Sequence, residues 1–155
     1  MAYPTIAGPY GLVPVKLLSG VPFVGLTRQY SIASAYDTNI FYGDVVKLVT
    51  GGTVERDTAD AAMTPIGVFL GCTFTDPSSG NVTFRQYFPA DTAASDIMAY
   101  VADGTDILFK AAVVSSGTTI GDLAITDIGA NVAMVNNAGS TVTGNSKIAI
   151  SDTSA

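Results

Sequence analysis

Short apolar runs separated by turn residues recur along this chain about every 8–12 residues, the spacing typical of an all-β sandwich or barrel. The composition agrees, because threonine, valine, alanine and isoleucine are abundant while glutamate and lysine, which favour surface helices, are scarce. We therefore predict an all-β fold, a small sandwich or barrel of about eight to ten short strands. A single β domain over 21–155 would follow an extended N-terminal arm over 1–20.

The arm is predicted from its prolines and glycines, which prevent helix and discourage a central strand. It also carries tyrosines and an apolar run, so it either packs along its own domain or lies over a neighbouring subunit. We expect Tyr3, Pro4, Tyr10 and Leu12 to form its contacts with a partner. Full burial of one large apolar side chain contributes roughly 1.5–3 kcal/mol before the entropy of ordering is subtracted.

Turn chemistry predicts one β-hairpin around the pair Gly51-Gly52, which lies between two apolar runs. Two adjacent glycines favour a two-residue turn of the primed type, because both central residues of such a turn can then adopt positive φ. The runs on either side, 45–50 and 53–56, are predicted to be the paired strands.

A second hairpin is predicted between residues 66–75 and 82–88, joined by a loop rich in Asp, Pro, Ser and Gly. Strict alternation along the first run predicts that Ile66, every second residue after it, and finally Phe74 face the core. The same alternation places Phe69 on the opposite face.

Residues able to carry catalysis are few. The chain has no histidine, no tryptophan and one cysteine, which excludes His-based triads, His-bearing zinc sites and an internal disulfide. Cys72 is expected to be a buried structural thiol, since no histidine is present to lower its pKa. Acidic pairs such as Asp103 with Asp106 are interpreted as turn residues. We predict no enzymatic activity, no metal and no cofactor.

Charge and hydropathy exclude further classes. The formal net charge is −6 and the basic residues are spread singly along the chain, which argues against nucleic-acid binding. A transmembrane segment is not expected, because no 18-residue stretch is free of charges and turn residues. The N-terminus does not follow the pattern of a secretory signal, so synthesis in the cytoplasm is expected. With 13% charged residues, part of the apolar surface is expected to be buried against partners.

A polar loop with aromatic edges is the remaining candidate for binding. Tyr36, Asn39 and Tyr42 are predicted to offer exposed contacts there, to a sugar or to the backbone of a partner. Core aromatics that anchor a loop are the commoner arrangement for such a pattern.

Four segments together resemble small head decoration (cement) proteins of tailed bacteriophages, particularly those of marine and cyanobacterial podophages. The first two are FYGDVVKL at 41–48 and TPIGVFLG at 64–71. The others are the opening run 1–15 and the run 97–110. The likeness covers most of residues 1–135 and consists of apolar strands and Gly-Asp turns.

This resemblance implies a non-enzymatic virion structural protein on the outer surface of the capsid, made in the host cytoplasm. Its partners would be the major capsid protein and itself, as a homotrimer that stabilises contacts between capsomers; nucleic acid and membrane would not be partners. Two alternatives stay open. One is a tail or tail-tube component, and the other is a carbohydrate-binding module displayed on a virion.

Overall fold

The computed structural model describes residues 8–59 and 62–154, and these form an all-β fold. Turns and irregular loops connect the strands, with a short 3-10 helix at Ile125–Asp127. The twelve strands of this described part exceed the number expected from the sequence. They are β1 Val13–Leu17, β2 Arg28–Ser31, β3 Val45–Leu48, β4 Val54–Arg56, β5 Gly67–Thr75, β6 Val82–Arg85, β7 Met98–Ala102, β8 Ile107–Lys110, β9 Val113–Ser116, β10 Thr119–Ile120, β11 Val132–Val135 and β12 Ala149–Ser154.

The strands form three sheets, and the largest has the order β2-β7-β5-β3-β4, with β6 paired to the second half of β5. A two-stranded sheet joins β1 to β8, and a four-stranded sheet has the order β10-β9-β12-β11. The pairing is antiparallel except between β12 and β9. Over the described residues none of the sheets closes into a barrel, so the architecture is a small sandwich.

Two apolar cores lie on opposite faces of the large sheet. The first contains Phe69, Cys72 and Val101, and it is closed by the connections that follow β2 and β6, which contribute Ile40 and Phe88. All five side chains are fully buried. This core therefore depends on irregular segments as much as on strands.

The second core lies between the large sheet and the two smaller ones. Its buried members include Leu12, Val45, Val68 and Ile148, against which Phe109 of β8 and other partly buried residues pack. Because β3 and β5 contribute to both cores, they are covered on both faces over this part of the sheet.

The alternation predicted for β5 holds only within each half of the strand. Phe69 is fully buried in the first core, with Cys72 and Phe74, whereas Val68 lies in the second. The reason is a β-bulge: Phe69 pairs with Val101 and Cys72 with Ala99, so β5 has one extra residue between these pairs. The prediction that Phe69 faces away from the core is therefore wrong.

Both predicted hairpins form, with one change in turn type. In the first, Lys47 lies opposite Glu55, but the Val49 N–H donates to the Thr53 carbonyl and the Gly52 N–H to the Val49 carbonyl. Of the two glycines only Gly52 has positive φ, at 77°. This is a three-residue loop with a single left-handed residue, so the predicted two-residue primed turn is wrong.

Candidate partner-binding surfaces

The predicted arm enters the fold well before residue 20. The Leu12 N–H donates to the Gly43 carbonyl at 3.0 Å, and Leu12 is buried in the second core. From Val13 onward the chain is strand β1, paired with β8. We expected Leu12 to contact a partner. This expectation is wrong, because the Leu12 side chain is buried in the chain's own core. Tyr3 and Pro4 lie outside the described residues.

Of the two predicted arm contacts that lie in the described residues, Leu12 is buried and Tyr10 stays near the surface. The Lys110 ammonium lies 5.5 Å from the centre of its ring, a cation–π distance. Tyr10 and Lys110 border a surface cleft of about 360 Å³ together with Tyr42 and Asn145. The structure thus places Tyr10 and Tyr42, which come from two separate predictions, in one cleft.

Tyr36 and Asn39 are half-buried, and both are held by hydrogen bonds within the chain. The Tyr36 hydroxyl accepts the Arg56 backbone N–H at 3.2 Å, and its ring packs against the first core. The Asn39 Oδ1 accepts the Ala90 N–H at 2.8 Å, which ties its loop to the loop before β7. Of the three residues predicted for an aromatic-edged binding loop, Tyr42 lines the cleft beside Tyr10, and Asn39 lines a separate cleft of about 230 Å³.

The segment from Leu18 to Leu26, which we call the apolar loop, was not singled out from the sequence. It presents four large apolar side chains to solvent: Leu18, Val21, Val24 and Leu26, with Val24 87% exposed. The loop is held at its base, because the Leu17 N–H donates to the Val21 carbonyl and the Phe23 N–H to the Val15 carbonyl. The signal in the sequence is an apolar run interrupted by Gly20, Pro22 and Gly25, which prevent regular pairing.

A second uncovered surface lies on the large sheet itself. The face that carries the second core is covered around β3 and the start of β5, but beyond the bulge it is bare. Strand pairing places eight outward side chains on this bare part, which we call the open half-face. They are Gln29, Ser31, Thr73, Thr75, Val82, Phe84, Met98 and Tyr100.

A further cleft is mostly apolar and measures about 590 Å³. It opens beside the second core, between the start of β5, the end of β7 and the edge strand β11, with Phe109 and Met134 in its wall. Asp103 at its rim is already paired: it accepts the Tyr30 hydroxyl at 2.7 Å and lies 3.4 Å from the Arg28 guanidinium. The cleft therefore offers shape and apolar contact but few free polar groups.

Two of the buried polar residues, Asp44 and Ser146, form a structural cluster with Arg56. Asp44 is fully buried; its Oδ2 accepts the Phe41 N–H at 2.8 Å and lies 3.1 Å from Arg56 Nε. Its Oδ1 accepts the Ser146 hydroxyl at 2.5 Å, and Ser146 Oγ accepts the Ile148 N–H. Burial raises the pKa of Asp44 above its usual range, although Arg56 opposes this. Every carboxylate oxygen of Asp44 has a partner, so the cluster ties the turn before β3 to the segment before β12.

Cys72 is fully buried in the first core. Burial raises the pKa of its thiol to about 12, so the reactive thiolate is strongly disfavoured. Across residues 8–59 and 62–154, no group of three or more acidic or thiol side chains lies close enough together to hold a metal ion. Within the same described ranges, no helix has the length and apolarity needed to span a membrane.

Comparison of the whole chain with protein-family models, curated proteins and solved structures finds no match in any of the three.

Proposed function

We propose that this chain is a decoration (cement) protein that binds the outer surface of a tailed-phage head and stabilises contacts between subunits of the major capsid protein. The observation that carries the proposal is the apolar loop, which holds four large apolar side chains in solvent on a base anchored by backbone hydrogen bonds. A surface loop of this composition is typical of a docking site.

The energetics suit a protein that acts in many copies. Burying one large apolar side chain of the loop would contribute roughly 1.5–3 kcal/mol before ordering entropy. The anchored base reduces that entropic cost, since backbone hydrogen bonds already order the loop as far as Phe23. Modest affinity per copy is enough when many neighbouring copies reinforce one particle.

The proposed contact set differs from the one drawn from the sequence. Val24 and Leu18 of the apolar loop replace Leu12, which is buried, and Tyr10 remains because it lies at the surface. Tyr3 and Pro4 remain part of the proposal. The proposed assembly is a homotrimer located on the virion, as the resemblance to decoration proteins implies.

The test is binding of the purified chain to expanded, undecorated heads of the phage that encodes it, with copies per head counted by quantitative gel analysis and cryo-electron microscopy. Val24→Asp is expected to lower occupancy at least tenfold, because the substitution adds a charge to the proposed contact. The matched control is Val142→Asp, in which a valine of similar exposure, 94%, receives the same charge in the segment between β11 and β12.

Two results would count against the proposal in different ways. Absence of the wild-type chain from both virions and reconstituted heads would overturn the decoration function. Normal occupancy of Val24→Asp, with wild-type binding intact, would remove the apolar loop as the contact.

A further inference from the structure

Strand β6 is an edge strand of the large sheet. It pairs with β5 on one side, and in the described ranges no strand pairs with its other side. The hairpin is closed by the Asp76 N–H, which donates to the Asn81 carbonyl. Because hydrogen-bonded and non-hydrogen-bonded pairs alternate in an antiparallel ladder, Val82 and Phe84 then point their backbone N–H and C=O groups toward the free edge.

The hydrogen bonds of β5 support this assignment of which β6 residues face the free edge. The Thr75 N–H, opposite Val82, turns away from β6 and donates to the Asp96 carboxylate at 3.1 Å. The pair Thr75 and Val82 is therefore of the non-hydrogen-bonded kind, and so is the pair Thr73 and Phe84 two residues along.

The side chains of the same two residues lie on the open half-face. Val82 is 76% exposed and Phe84 62% exposed, with the Phe84 ring 6.1 Å from that of Tyr100. Natural edge strands are usually protected by lysine, proline or an inward-pointing charge. β6 has neither lysine nor proline, and its one charged residue, Arg85, points to the opposite face, 3.9 Å from Asp76. The edge is unprotected in both backbone and side chains.

We propose that β6 is a contact between two copies of this chain, which pair antiparallel through Val82 and Phe84 about a twofold axis at Thr83. In this register Val82 lies opposite Phe84 of the second copy and Phe84 opposite its Val82, so both are hydrogen-bonded pairs. The apolar side chains fall on one face in both copies, and the two large sheets join into one. One register therefore pairs the outward backbone groups and also places the apolar side chains of both copies on the same face.

The charge distribution allows a second copy to be the occupant. Each copy has a net charge of −6 and repels another copy over most of its surface. The open half-face carries no charged side chain among its eight outward residues. Asp96 lies at its border and is held by the backbone and hydroxyl of Thr75. Two copies can therefore meet here without placing like charges in contact.

The inference goes beyond the proposed function and does not depend on it. Sedimentation velocity of the full chain over a range of concentrations, without heads, is expected to show dimers or even multiples. Phe84→Asp should weaken self-association at least tenfold, because it replaces an apolar contact with a carboxylate in each copy. Ile125→Asp, at a residue of 84% exposure on the short 3-10 helix, is the matched control and should associate as the wild type does.

Val82→Pro tests the backbone pairing separately. Val82 is the first residue of β6 and its N–H points to the free edge, so proline there removes no hydrogen bond within one copy. Circular dichroism should be unchanged, while self-association should weaken as in Phe84→Asp.

The number of copies in the wild-type assembly also tests the proposal. Six-copy species that split into trimers on Phe84→Asp would support the contact as a link between two trimers. Monomers at all concentrations, or trimers that neither pair nor respond to Phe84→Asp and Val82→Pro, would overturn it. Head binding with no β6-dependent association would leave the decoration function intact and remove only this inference.

Discussion

One face of the large sheet has two halves that share strands but differ in what covers them. Around Val68 and Val45 the face is packed against β1, β8 and the C-terminal segment, and its side chains are buried. Beyond the bulge in β5, the same face carries Val82 and Phe84 in solvent. The halves differ because the bulge changes the alternation of β5. On this face β5 presents Val68 and Leu70 before the bulge and Thr73 and Thr75 after it.

The largest expected effect on stability comes from a substitution in the buried polar cluster beside the covered half of the face. Asp44→Ala leaves the Arg56 guanidinium and the Ser146 hydroxyl buried without their partner. Loss of one member of such a group is expected to lower the free energy of unfolding by about 3–5 kcal/mol. Urea denaturation followed by circular dichroism measures this. Asp37→Ala, at an exposed residue, should change the free energy of unfolding little; equal losses in the two variants would contradict a structural role for the cluster.

The next effect compares the two halves with one matched substitution. Val68→Ala removes two methyl groups from the second core, where the side chain is 4% exposed, and should cost roughly 2–3 kcal/mol. Val82→Ala removes the same groups from the open half-face and should stay within about 0.5 kcal/mol. The free energies of unfolding of the two variants, measured below the concentration at which the chain associates, give the contrast directly. A cost above about 1 kcal/mol for Val82→Ala would mean that the open half-face is covered within one chain.

The bulge that separates the halves can be tested at Gly71. Its φ is +139°, and a Cβ there would lie 2.7 Å from the Phe84 ring and 3.1 Å from the Arg85 carbonyl oxygen. Gly71→Ala should therefore cost about 1–2 kcal/mol through backbone strain and crowding. Thermal unfolding checks this against Gly51→Ala, where no positive φ is required and there is space for a Cβ. Similar melting temperatures for the two variants would refute the structural role of Gly71.

The smallest effect is a pH dependence. Because burial raises the pKa of Asp44, the folded chain binds the proton of that carboxyl more tightly than the unfolded chain does. Its contribution to stability is complete below the ordinary Asp pKa of about 3.9 and is lost as pH rises through the raised folded value. Relative to Asp44→Asn, which cannot titrate, the wild type should lose stability as pH rises above about 4. A relative gain with rising pH would contradict the direction of the shift.

The features that could be predicted from the sequence are those determined by residues close together in the chain. The all-β class and both hairpins follow from local alternation and turn chemistry, and both hairpins form. The bulge at Gly71 could not be predicted from the sequence of β5. It depends on how β5 pairs with β7 on one side and with β3 and β6 on the other. Which core Phe69 joins is therefore determined by the pairing of several strands.

The candidate contacts show the same limit. Leu12 and Val24 are both apolar residues in a Gly- and Pro-rich stretch, and no local pattern separates the buried one from the exposed one. Leu12 is buried because Gly43 and Ile148, distant in sequence, meet it. Tyr36 was predicted as an exposed contact, yet its hydroxyl accepts a backbone N–H twenty residues away.

The hydrogen bond between Asp44 and Ser146 spans 102 residues and has a consequence for folding kinetics. The second core joins Leu12, Val45 and Val68 to Ile148, so it closes through contacts between residues far apart in sequence, and such contacts form slowly. Intermediates in which Ser146 and Ile148 have not yet docked leave the apolar side chains of this core in solvent. These intermediates should therefore be the most aggregation-prone form of the protein.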